Sequence, residues 1–317
     1  MQIFISDDTH AICIYLTAIF FFLFFSPPSS SADTMGAIFP VKSKKFYEMY
    51  RLMKDELKDN GHILKFVDSD SGDAEVKQYL KDEGVTQIVC IGNKSALIGK
   101  ESGLPGLFLF VVGPFKEGIM RKDGIPTANL TGIDVYFSPQ LIYDILNKIF
   151  PQITFGIVYN PDQSEYYLGK LREFSTGRYS LVEKAIHDSS DVIPSFNKMK
   201  GKVNFIFSFL DLTVFNPNTL DFLYKFSIMN RISLIGINEV MTKNGALISF
   251  SFDYPALAKQ AVRILIKMNS GVKPQDIQME FPDKITYTLN LNTAKIFNIT
   301  IPDDIIKGAE QTFEFAS

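Results

Sequence analysis

The residue types that most often carry chemistry are thinly spread in this sequence. Its three histidines, His10, His62 and His187, and its two cysteines, Cys13 and Cys90, lie far apart, with no pair at the spacing of a zinc site. Cys90 sits in the apolar run Gln87-Ile88-Val89-Cys90-Ile91 and reads as a small buried hydrophobe rather than a reactive thiol. The stretch from Gly92 to Lys100 resembles a phosphate loop only superficially. Six residues separate its glycines where four are needed, and Glu101 follows the lysine in place of a magnesium-binding hydroxyl. No Gly-x-Ser-x-Gly elbow occurs, and no histidine stands near an obvious nucleophile. The 35 acidic residues are enough to hide a carboxylate pair of the glycosidase kind, but solvated helix faces are the simpler account. The chain reads as a binder rather than an enzyme, with no metal and no cofactor.

The residues worth naming as ligand contacts stand just after predicted strands. Asn93 and Ser95 follow Ile91 at a helix start. Ser164, Glu165 and Tyr166 follow Tyr159-Asn160-Pro161, with Asp162 suited to the positive end of the helix dipole. Asp211 and Thr213 follow Phe207, Asn238 and Glu239 follow Gly236, and Gly113 turns the chain after Val112. Any one of these polar groups serves equally well as a helix cap. Four strand ends carrying polar side chains toward one cleft are more than capping requires.

The elements that must position them alternate evenly. Ala37 to Pro40, Ile63 to Val67, Gln87 to Ile91 and Leu107 to Val112 read as strands. Phe46, Tyr50, Met53 and Leu57 recur at helical spacing up to Asn60-Gly61, and further helices start near Asp73 and Ser95. The rhythm begins again with strands at Ile153 to Tyr159, Tyr179 to Glu183, Val203 to Phe207 and Ser233 to Gly236, and helices near Asp162, Ser189 and Thr213. The expected fold is α/β, two doubly wound parallel-sheet lobes joined by short crossovers at Thr131 to Asp134 and Gly236 to Glu239. The first lobe is expected over 33–135 plus 237–271, including the run Ala246 to Phe252, and the second over 136–236 plus 272–317. Open α/β sheets bind ligands outside the carboxyl ends of their strands, so two facing lobes imply a shared cleft.

Composition narrows the partner. A net charge of −3 with dispersed Lys and Arg excludes a polyanion, so no nucleic acid is expected. The segment before Ala37 has no helix-turn-helix, which argues against a repressor. Ala11 to Phe25 is an apolar run followed by Ser-Pro-Pro and small residues at Ser30 and Ala32, the pattern of a signal peptide over 1–32 cleaved after Ala32. Asp7 and Asp8, with no Lys or Arg before the run, depart from that pattern, and an uncleaved membrane anchor is the alternative. Cys13 would leave with the leader, so no internal disulfide is expected.

The second half carries a resemblance. Tyr159-Asn160-Pro161, Leu210-Asp211-Leu212-Thr213, Ile235-Gly236-Ile237-Asn238-Glu239, Gly245-Ala246-Leu247-Ile248-Ser249, Phe252-Asp253-Tyr254 and Asn292-Thr293-Ala294-Lys295 occur in one family's order. The chain resembles the ABC transporter substrate-binding family that includes tryptophan and tyrosine binders, with the type I periplasmic-binding-protein fold. The match runs roughly from Asn129 to Ala309. The resemblance implies a periplasmic or extracellular monomer that binds a small solute (amino acid, amine or small aromatic) between its lobes and hands it to an ABC permease. A ligand-sensing module reporting to a membrane kinase is the alternative. By the same resemblance Asp211 and Thr213 match the family's cleft turn, and Asn238 stands where Asp is common. Glu165-Tyr166 replaces the Asn-Ser pair of amino-acid binders, and Val112-Gly113-Pro114 replaces a polar turn. A carboxylate at Glu165 would repel a solute carboxylate, since like charges at ~4 Å cost several kcal/mol at low effective dielectric.

Overall fold

A computed structural model describes residues 33–314, apart from Ala128 and Thr176. The leader expected over 1–32, with Cys13, lies outside the described residues. Among the described residues, no helix is long and apolar enough to cross a membrane.

The first sheet contains β1 (Thr34–Phe39), β2 (Ile63–Asp68), β3 (Gln87–Ile91), β4 (Gly106–Leu109) and β5 (Leu130–Gly132) in the order β2-β1-β3-β4-β5. Every pairing in it is parallel. The central strand β3 is buried at all five positions, as a sheet covered on both faces requires. Between the strands run α1 (Lys44–Asp59), α2 (Asp73–Asp82) and α3 (Asn93–Ser102). Ser43 caps α1 by accepting the Phe46 N–H, and the helix buries Met49, Tyr50, Met53 and Leu57 at the predicted spacing.

The second sheet has seven strands. They are β6 (Thr154–Tyr159), β7 (Ser180–Ala185), β8 (Phe205–Phe207), β9 (Ser233–Gly236), β10 (Ile248–Phe252), β11 (Ile285–Asn290) and β12 (Gln311–Phe313), ordered β12-β11-β10-β9-β8-β6-β7. All pairings are parallel except β10 with β11. The helices in this half of the chain are α4 (Pro139–Ile149), α5 (Pro161–Ser175), α6 (Val192–Asn197), α7 (Pro217–Asn230), α8 (Glu239–Lys243), α9 (Tyr254–Asn269), α10 (Leu291–Phe297) and α11 (Asp303–Gly308). The helix expected near Thr213 starts instead at Pro217, because Asn216 and Thr219 form a capping box there.

The lobe boundary differs from the sequence expectation. Ala246 to Phe252 was expected to complete the first lobe, yet β10 is hydrogen-bonded between β9 and β11 in the second sheet. Gly236 to Glu239 is therefore no crossover; it joins β9 to α8 on the same lobe. The chain returns to the first lobe only at Phe252-Asp253. There α9 lays Leu257, Ala258, Ala261 and Leu265 in one core with Met49, Met53 and Leu57 of α1.

Three passages thus link the lobes. The first follows β5, where the Asp134 N–H donates to the Glu280 carbonyl at 2.8 Å and the Glu280 N–H to the Gly132 carbonyl at 3.2 Å. Phe252-Asp253 is the second, tied by Lys284 to the Asp253 carboxylate at 2.7 Å. The third leads from Ile277 to β11, and its Glu280 side chain is held by Arg263 at 2.7 Å and Gln260 at 3.0 Å from α9.

Candidate solute-binding cleft

The carboxyl ends of β6 and β8 meet at Asp211. Its Oδ2 accepts the Asn160 N–H at 2.7 Å and the Ser164 hydroxyl at 2.8 Å, and its Oδ1 accepts the Thr213 N–H at 3.1 Å. The residue is fully buried. The expectation that Asp211 offers its carboxylate to a solute is corrected by this arrangement: three protein donors already occupy it. Thr213 belongs to the same scaffold, its hydroxyl accepting from Asn160 Nδ2 at 3.0 Å and Gln163 Nε2 at 2.8 Å. Ser164 is spent on Asp211. Together they fix the start of α5 against β8.

Beyond that scaffold, α5 presents Asp162, Glu165, Tyr166, Gly169 and Glu173 along one face. Opposite stand Phe115, Lys116, Lys122 and Asp123 from the loop after β4, and the two walls enclose a cavity of about 660 Å³. The Phe115 and Tyr166 rings, one from each lobe, lie 4.4 Å apart. Burial and the charge of Asp134 push the Tyr166 hydroxyl up to about 12. Glu165 is not the bare carboxylate expected from sequence, since Arg172 meets it at 2.5 Å and Glu183 at 2.7 Å. Arg172 is shared between Glu165 and Glu183, so it weakens the repulsion of a solute carboxylate without cancelling it.

On the first lobe, Asn93 is the first residue of α3 and bonds Val112 twice, donating to its carbonyl at 2.7 Å and accepting its N–H at 3.1 Å. This pair shapes the turn that runs through Phe110 (φ 54°) and Gly113 (φ 65°), both in the left-handed region. Phe110 stacks on Phe46 at 5.7 Å and meets Phe252 edge-on at 5.0 Å, with Tyr254 at 6.0 Å. These half-buried rings form an aromatic wall. Ser95 neither caps nor reaches the cavity; its hydroxyl is buried without a partner.

Asn238 and Glu239 stand apart from these groups. Asn238 is an exposed N-cap whose side chain accepts the Met241 N–H, and Glu239 begins α8 in solvent. The capping reading accounts for both.

A second, inner cavity of about 40 Å³ lies against the ends of β8 and β9, with Tyr136, Tyr167, Phe209 and Phe252 among its walls. Ser208 lines it, and its buried hydroxyl has no partner. Asp134 stands just before Val135, Tyr136 and Phe137, which line the same cavity. Its Oδ1 accepts the Tyr136 N–H at 3.2 Å, while Oδ2 has no partner. Burial pushes this carboxyl up to about 7 against the opposing pull of the Tyr136 and Val135 amides. Neither Ser208 nor Asp134 was singled out as a site residue from sequence. The available signal was a lone acid between Ile133 and Val135 at the end of an apolar strand.

The family model described as ABC transporter substrate binding protein matches residues 37–313. The chain belongs to this family. The substrate-binding protein is 23% identical over 200 residues to a tyrosine-binding protein of Clostridioides difficile (strain R20291). That alignment covers 62% of this chain and 57% of the relative, so it spans little more than half of the curated protein. Among solved structures, the ligand-free, open form of a Clostridium difficile substrate-binding protein with adhesive properties superposes with a TM-score of 0.68 at 18% identity, covering 88% of this chain and 99% of that one. A Streptococcus pneumonia ABC domain in complex with L-Trp superposes with a TM-score of 0.59 at 18% identity, covering 89% and 100%. These likenesses establish the type I periplasmic-binding-protein fold for both lobes. The family and these neighbours are solute-binding proteins rather than enzymes.

Proposed function

We propose that the protein binds a small solute between its lobes and, outside the cytoplasm, delivers it to an ABC permease. The observation that carries this reading is the cavity of about 660 Å³ whose walls come from both lobes, within the size range of small-molecule sites. The Phe115 and Tyr166 rings, which line this cavity from the two lobes, favour a solute with a flat apolar body. Tyrosine and tryptophan, named for the relatives, have that shape. The pairing of Glu165 with Arg172, shared with Glu183, reduces the electrostatic objection to an amino acid.

Thermal-shift screening of amino acids, amines and small aromatics against residues 33–317 tests the reading. A ligand at a hundred times its Kd stabilises the folded state by about 2.7 kcal/mol. Small-angle scattering with a hit should show a smaller radius of gyration as the lobes close about their three crossovers. Failure of every compound to shift the melting curve at millimolar concentration would remove the proposal.

A further inference from the structure

The connection from β4 to β5 is long for neighbouring strands of one sheet. Twenty residues, from Phe110 to Asn129, separate the two strands, and no helix lies among the described ones. Parallel neighbours are usually joined through a helix, and a connection of this length without one is as a rule a lid or a binding loop. Its middle is a small hairpin. The Arg121 N–H donates to the Ile125 carbonyl at 2.8 Å and the Thr127 N–H to the Ile119 carbonyl at 3.0 Å, while the Gly124 N–H closes the turn on the Arg121 carbonyl at 2.9 Å. Gly124 holds the left-handed conformation this turn needs (φ 80°). Arg121 pairs with the Asp123 carboxylate at 2.6 Å, and Lys100 of α3 ties the loop to the first lobe by donating to the Glu117 carbonyl at 2.8 Å. The excursion is thus a preformed piece of the first lobe rather than a slack tether.

Tyr166 of α5 meets that piece from the second lobe. Its ring lies 4.4 Å from the Phe115 ring, and its hydroxyl sits so close over Gly124 that a Cβ there would come within 2.9 Å of it. The same side chain packs against a core built from first-lobe residues, Ile119, Met120 and Leu130 among them, together with Met279 of the third crossover. The Met279 N–H in turn donates to the Gly124 carbonyl at 3.2 Å. A second-lobe ring seated in a first-lobe core must withdraw when the lobes part. Its burial therefore stabilises the closed arrangement and contributes nothing to the open one.

We propose that Tyr166 is a latch between the lobes, with Phe115 and the Gly124 turn of the β4–β5 connection as its socket. Both rings also line the outer cavity, so breaking this contact opens that cavity and sets the rate at which its occupant leaves. The role in retention rests on the reading that a solute binds between the lobes; the latch itself needs no solute.

Small-angle scattering of ligand-free residues 33–317 reads the separation of the lobes. Tyr166→Ala and Phe115→Ala should each raise the radius of gyration above that of the wild type, and the double variant should open no further than either alone, because one contact is lost in all three. Tyr166→Phe keeps the ring and should match the wild type. A side chain that merely supported its own lobe would lower the melting temperature without parting the two. Release of radiolabelled L-tyrosine, followed by rapid filtration, should be about tenfold faster from Tyr166→Ala than from the wild type, the scale of one aromatic pair with its buried area. An unchanged radius of gyration in both single variants overturns the latch, and so does a Tyr166→Phe protein as open as Tyr166→Ala. Phe115→Ala carries the test where Tyr166→Ala folds poorly. Release at the wild-type rate from an opened Tyr166→Ala overturns the role in retention. If L-tyrosine binds none of these proteins, the aromatic-solute reading falls and the scattering still decides the latch.

Discussion

Asp211→Ala separates a scaffold from a ligand contact. The substitution strands two backbone N–H groups, from Asn160 and Thr213, and the Ser164 hydroxyl, all of which donate to this carboxylate. Each stranded buried donor costs about 1–3 kcal/mol, so with partial rehydration the total is about 3–6 kcal/mol. That is a large share of the roughly 5–15 kcal/mol by which a folded domain is stable. At about 2–4 °C per kcal/mol, with a chain of this length at the lower end, the melting temperature should fall by about 6–15 °C. Ser164→Ala is the internal control: it removes one donor and leaves the acceptor with two, and should cost about 1 kcal/mol. Scanning calorimetry and urea denaturation of the three proteins, with titration of a screening hit, give stability and affinity side by side. A melting temperature within about 2 °C of wild type, combined with a collapse of affinity, would refute the scaffold assignment and restore Asp211 to the solute.

Other expectations follow from the same geometry. Folded Asp134 keeps its proton up to about pH 7, whereas the unfolded carboxyl loses it near 3.8. Folding therefore takes up a proton across that interval, so stability should fall as pH rises from about 4 to about 7 and level off above; Asp134→Asn should flatten this part of the profile, and a persisting slope would assign it to another group. A Cβ on Gly132 would lie 2.1 Å from the buried Phe108 ring, so Gly132→Ala should cost about 1–3 kcal/mol by urea titration, and a neutral result would contradict the packing. Arg263→Ala releases Glu280, and the Asp134 and Glu280 amides should then exchange hydrogen faster, with unchanged exchange arguing against a clamp on the crossover. Mass spectrometry of the exported protein should find Asp33 as its first residue, against an intact Met1 in the membrane fraction for a retained anchor.

The alternation of strands and helices was legible because parallel strands buried on both faces read as short apolar runs, as Gln87–Ile91 does. Which sheet a strand joins was not. Ala246 to Phe252 and the helix after it form a perfectly ordinary βα unit, and nothing in its periodicity says that the strand pairs with β9 while the helix covers α1. The candidate site divides the same way. A polar residue after a strand is visible in sequence, but whether it turns to solute or to backbone depends on which amides surround it. Asp211 turned to amides and Asn238 became a cap. Glu165 reads as a bare carboxylate in sequence because Arg172, two turns on along α5, meets it only once the helix forms, while also holding Glu183 from the next strand. Asp134 was visible only as one letter of a crossover, since its significance lies in a missing partner.

The placement of α9 has a consequence for how the protein is made. The first sheet is complete at Gly132, yet the core that it shares with α1 stays unfinished until Leu257, Ala258, Ala261 and Leu265 arrive. A ribosome that has released residues 33–138 has therefore produced a half-covered sheet, and the second lobe must be largely built before its cover appears. Contacts of such long sequence separation, as between Gln87 and Leu265, slow folding and leave the early portion exposed to chaperones or to aggregation. Truncation between β10 and α9 should yield an insoluble chain even though all five strands of the first sheet are present.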